Sequence, residues 1–98
     1  MRLNPEQIAA IKQATAEVFG PEASVRLFGS RIDDSRRGGD IDLYIETDKT
    51  EGLIDLKARL LIKLFRRLGA QRIDLVVRRR QQPPEAIHRD ALEHGVLL

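Results

Sequence analysis

Apolar residues recur along this chain in two rhythms, and the places where one gives way to the other predict its elements. Ile8, Ile11, Ala14, Val18 and Phe19 fall at the spacing of a helix face. Ahead of them, Asn4-Pro5-Glu6-Gln7 supplies an N-cap, a proline at the first helical position and a glutamine placed for a capping box. Gly20-Pro21 stops the run. A broader stripe of Leu53, Leu56, Leu60, Leu61, Leu64 and Leu68 predicts a second helix over 53–68, ended by Gly69. Pro83-Pro84 breaks the chain before a last short helix over 85–93, ended by Gly95.

Between these helices the period drops to two. Residues 24–28 form a short strand that ends at Gly29-Ser30. In 40–46, Ile41, Leu43 and Ile45 share one face; in 72–77, Ile73, Leu75 and Val77 do the same. The order α-β-(loop)-β-α-β-α predicts an α/β (α+β) fold, a small mixed three-stranded sheet packed with helices, in one domain over 1–98.

The same alternation creates a puzzle. Asp40 and Asp42 project together on the face opposite Ile41, Leu43 and Ile45, although strands disfavour aspartate. Two ionised carboxylates that close repel, and a shared proton or a divalent cation would relieve them. Asp74 occupies the same phase in the third strand, so three carboxylates converge if the two strands are neighbours. An oxygen-only cluster of that kind suits Mg²⁺ or Mn²⁺. The plain alternative is three solvated aspartates on an open sheet face. Ahead of Asp40, with nine residues of an arginine-rich stretch between, lies Gly29-Ser30. Glycine there lets a ligand approach the backbone, and free N–H groups at a helical turn attract phosphate.

Composition narrows the classes. In 98 residues, 42% are apolar and 33% charged, with a formal net charge of +2, which fits a globular domain and is too mild to argue for a nucleic-acid binder. Cysteine is absent, which excludes disulfides and thiolate metal sites and fits a reducing compartment. No apolar run reaches the roughly 18–20 residues of a membrane span, and the first residues lack the apolar stretch of a secretory signal. The expected location is the cytoplasm. Arg78-Arg79-Arg80 reads as a solvated strand end, because no aromatic is interleaved and glutamines and prolines follow. His88 and His94 lie six apart and do not share a helix face as a metal pair would. Tyr44 falls on the aspartate face, open to a role in a nucleotide pocket or in packing. The leucine-rich second helix carries a stripe broad enough to leave a surplus for a partner.

Taken together, Gly29-Ser30, nine residues, Asp40-Ile41-Asp42 and a later-strand Asp74 resemble the signature of the DNA polymerase β-type nucleotidyltransferase superfamily. The chain is similar to the minimal nucleotidyltransferases (MNT proteins) of that group from Asn4 to Leu98, including the closing AIHRDALEHGVLL. The resemblance implies a palm-like nucleotidyltransferase fold in which Asp40, Asp42 and Asp74 hold two Mg²⁺ or Mn²⁺ ions. Asp74 would also help to deprotonate or orient the acceptor hydroxyl. Gly29 and Ser30 would bind the β- and γ-phosphates of the donor, ATP. Relatives carry a serine where Gly39 stands and a phosphate-binding arginine where Asp33 stands, so Arg31, Arg36 or Arg37 would take the phosphates. The implied acceptor is a tyrosine of an all-helical HEPN toxin, which would make this chain an antitoxin; nucleic acid is not an expected partner. The alternative is a non-catalytic antitoxin that neutralises its partner by contact.

Overall fold

The computed structural model describes residues 3–29 and 40–98, with Asp40 described by its backbone alone. Helix α1 spans Pro5–Phe19, β1 Ser24–Phe28, β2 Asp40–Thr47, α2 Leu53–Leu68, β3 Arg72–Arg79, α3 Ala86–His94 and β4 Val96–Leu97. The capping box at the start of α1 is formed: Asn4 Oδ1 accepts the Gln7 N–H at 2.8 Å, and Gln7 Oε1 accepts the Asn4 N–H at 2.9 Å. Gly69 closes α2 at φ 84°, donating its N–H to the Phe65 carbonyl at 3.0 Å.

The sheet runs in the order β3-β2-β1-β4. Strand β1 is antiparallel to β2 and β4, whereas β2 and β3 are parallel and joined through α2. A parallel pair cannot be closed by a tight turn, and the 53–68 helix supplies the crossover it needs. Four strands replace the three expected. After α3 the Gly95 N–H bonds to the Ala91 carbonyl at 2.8 Å, the chain turns, and Val96 and Leu97 pair with Leu27 and Arg26. Two residues are too few to show an alternating pattern, so only tertiary pairing reveals β4.

One face of the sheet builds the core. Val25, Leu27, Ile41, Leu43, Ile45 and Leu75 pack with Ile11, Ala14 and Phe19 of α1 and Leu60 and Leu64 of α2. Each buried aliphatic of this kind contributes about 1.5–3 kcal/mol. Lys63 and Arg67 of α2 both reach Glu17 of α1 at 3.1 Å, which holds the Glu17 carboxyl below its usual range, first through the Lys63 hydrogen bond. Helix α3 lies on the other face, where the His88 ring stands 5.9 Å from that of Tyr44. Among the described residues no helix is long and apolar enough to cross a membrane.

Candidate active site on the second sheet face

The face away from the main core is written by the register of β2 on β3. Reading along the strands, Asp40 is opposite Arg72, Asp42 opposite Asp74, Tyr44 opposite Val76 and Glu46 opposite Arg78. The last pair is complementary: Arg78 Nη2 donates to Glu46 Oε2 at 2.8 Å. The Asp42–Asp74 pair is not. Neighbouring strands lie about 4.8 Å apart, and like charges directly opposite one another are destabilising. At about 5 Å and an effective dielectric near 20, two carboxylates repel by about 3 kcal/mol. The face thus pairs opposite charges at Glu46–Arg78 and sets two carboxylates opposite one another at Asp42–Asp74.

The end of β1 presses against this pair. Gly29 leaves the strand at φ +78°, a conformation that side chains with a Cβ disfavour. A Cβ at Gly29 would overlap Asp42 Oδ2 and lie 3.1 Å from its Cγ. The glycine that the sequence marks as a turn is thus also the floor against which the Asp42 carboxylate rests. Phe28, the residue before it, is opposite Asp42 in the β1–β2 register.

Further along the face the polar groups are structural. Arg78, only 8% exposed, donates from Nε to the Tyr44 hydroxyl at 2.7 Å and from Nη1 to the Gln82 carbonyl at 2.5 Å, in addition to Glu46. The Tyr44 bond and then the Glu46 charge raise the guanidinium above its ordinary range, against the opposing effect of burial. Tyr44 itself is 1% exposed, between Arg78 and His88, so packing is its role. His88 Nδ1 accepts the Glu85 N–H at 2.9 Å, which fixes the ring at the start of α3. The triple-arginine run is therefore not a solvated strand end throughout. Alternation turns Arg78 onto the Tyr44 and Glu46 face, where it is buried, while Arg80 is held by Asp48 at 3.1 Å and by the Glu22 carbonyl at 2.6 Å. Breaking a buried ion pair destabilises by about 3–5 kcal/mol because the remaining partner stays desolvated. Arg78→Met should accordingly cost about 3 kcal/mol and lower the thermal midpoint by more than about 10 °C. An unchanged calorimetric melt would show that the network contributes nothing.

Of the residues singled out by sequence, Asp42 is opposite Asp74 in the β2–β3 register and Gly29 lies against Asp42. Asp40 takes its expected place at the head of β2, two positions from Asp42, and its side chain lies outside the described residues. Ser30, Arg31, Arg36 and Arg37 lie outside them as well. Among the described residues no three His, Cys, Asp or Glu side chains form a metal-holding group. The two described carboxylates nonetheless offer the hard oxygen donors that Mg²⁺ prefers. Arg72 is the residue that the sequence pattern does not single out. Its place opposite Asp40 puts a cation beside the acidic row, and only the β2–β3 register reveals it. The larger cavities described lie against α1 and α2, not at the carboxylates, whose Asp74 is exposed at the edge strand.

A family model described as a nucleotidyltransferase domain matches residues 8–98. A search of curated proteins finds no match to the chain.

Proposed function

The chain belongs to the nucleotidyltransferase domain family, and from that premise we propose that it transfers AMP from ATP to a tyrosine hydroxyl of a separate all-helical HEPN toxin, acting as its antitoxin. The like-charged Asp42–Asp74 pair against Gly29 is the observation that carries this reading.

The chemistry asked of the residues is modest. Asp42 and Asp74 gather negative charge on one ledge, and Asp40 stands two residues before Asp42 at the head of β2. Bound divalent ions would supply electrostatic stabilisation of the attacking and leaving oxygens. The acceptor oxygen attacks the α-phosphorus, the bond to the bridging oxygen breaks, and pyrophosphate leaves. Asp74, exposed on the edge strand, is the carboxylate that an incoming macromolecular hydroxyl can reach, and it orients that hydroxyl or accepts its proton. The Gly29 backbone, free of a Cβ, lets the Asp42 carboxylate lie against the end of β1, where the phosphates would be received. Ser30 and one of Arg31, Arg36 or Arg37 follow it in sequence and are suited to the β- and γ-phosphates. An open ledge also favours a protein acceptor, which brings its own surface to cover the reaction.

Incubation of the purified chain with the toxin, ATP and Mg²⁺ tests the proposal by intact mass. The expected result is an AMP adduct on a toxin tyrosine that disappears when EDTA is added. A toxin that remains unmodified while its activity is silenced would replace transfer with neutralisation by contact.

A further inference from the structure

Helix α2 is apolar on two sides. Leu60 and Leu64 are buried in the core, with Leu53, Leu56, Leu61 and Leu68 packed around them. A second stripe faces outward: Ile54 is 88% exposed, Ile62 53% and Phe65 57%, with exposed Ala58 between them. The spacing 54, 58, 62, 65 is that of a single helix face. Hollows flank the stripe on both sides. One of about 410 Å³ runs between Ile62, Phe65 and Ile73 of β3, and one of about 290 Å³ lies between Ile62 and Val18 of α1. A ridge with holes on either side is the geometry that a second helix packs into.

Charge selects the occupant. The solvent side of α2 carries Lys57, Arg59, Lys63, Arg66 and Arg67 against one carboxylate, Asp55. Asp55 is taken by Arg59 at 3.2 Å and Glu17 by Lys63 and Arg67, so Lys57 and Arg66 have no ion-pair partner among the described residues. A second copy of this helix would bring the same basic flanks and be repelled. A lipid surface asks only for an apolar face between basic flanks, whereas the hollows on both sides of this ridge give seats to the side chains of a packed helix. We propose that α2 docks an amphipathic helix of the partner protein, apolar at i, i+4, i+8 and i+11 and flanked by Asp and Glu.

This rests on the reading that the acceptor is a separate helical protein and adds where it binds. Ile73 lines the docking hollow, and the next residue, Asp74, faces the opposite side of the same edge strand. A partner seated on α2 therefore abuts the strand that carries a carboxylate of the candidate site.

The test needs neither ATP nor metal, so its failure is distinct from failure of nucleotidyl transfer. Two designed helical peptides, identical in a leucine stripe but flanked by Glu or by Lys, are titrated into the whole chain by calorimetry. The Glu peptide should bind at least about 10-fold more tightly than its Lys twin at low salt and weaken as salt rises. Ile62→Glu or Phe65→Ala should each weaken it about 30-fold. Both variants should keep the wild-type circular dichroism spectrum, since both positions are more than half exposed. Equal binding of the two peptides, binding of neither, self-association through α2 in sedimentation, or capture by phosphatidylserine vesicles in preference to the Glu peptide would each overturn the proposal.

Discussion

Replacing Asp42 by asparagine should lower nucleotidyl transfer by about 10³-fold or more, the loss of about 4 kcal/mol of transition-state stabilisation. The substitution keeps the shape of the side chain and its place against Gly29 but removes one of two charges that face each other in the β2–β3 register. A neutral amide is a poor ligand for a hard divalent cation, and the field over the phosphates falls with it. Asp74→Asn should lose activity by a comparable factor. Its carboxylate is exposed and opposite a like charge, so the same change should leave the metal-free thermal midpoint equal or higher. Steady-state transfer assays and melts recorded side by side separate the two effects. Full activity in both variants would remove the carboxylate pair from the mechanism. In cells, Asp42→Asn also tests the antitoxin role, because neutralisation by contact alone would persist in the variant.

The second large effect concerns Gly29. Alanine at φ +78° costs about 1–3 kcal/mol in backbone strain. The steric overlap with Asp42 Oδ2 has a different consequence. A short carboxylate side chain can rotate away, so the overlap adds little to unfolding and much to misplacement. A displacement near 1 Å in a reacting constellation costs about 10²-fold in rate. Gly29→Ala should therefore lose about 10²-fold in transfer while unfolding about 5–20 °C earlier, so transfer is compared at a temperature where the variant is fully folded. Comparison of kcat/KM with the thermal midpoint checks this. Activity that falls only in proportion to the folded fraction would show that the glycine serves the turn alone.

Much of this molecule could be read from its residues in order. The three helices follow from capping and periodicity: Asn4 with Gln7, the leucine stripe up to Gly69, and the segment between Pro84 and Gly95. The phase of Ile41-Asp42-Leu43 and Ile73-Asp74-Leu75 told which side of each strand would be core, because a period of two leaves no other choice. The closeness of Gly29 to Asp42 was legible only as a motif, since sequence spacing carries no information about which atom rests on which.

Local chemistry alone set the three helices and β1 to β3, their boundaries to within a residue or two, and the burial of Ile41, Leu43, Ile45 and Leu75. Long-range pairing decided the rest. The β2–β3 register made neighbours of Asp42 and Asp74, set Arg72 beside Asp40 and joined Arg78 to Glu46. The His88 ring of α3 covers Tyr44, Arg78 is buried through its bonds to Tyr44, Glu46 and Gln82, and the pairing of β4 appeared only where β1 offered it an edge. The physical reason is common to all of them. Helix and strand signals act over a few bonds, whereas a charge across a sheet or under a helix is decided by which distant segment arrives to face it.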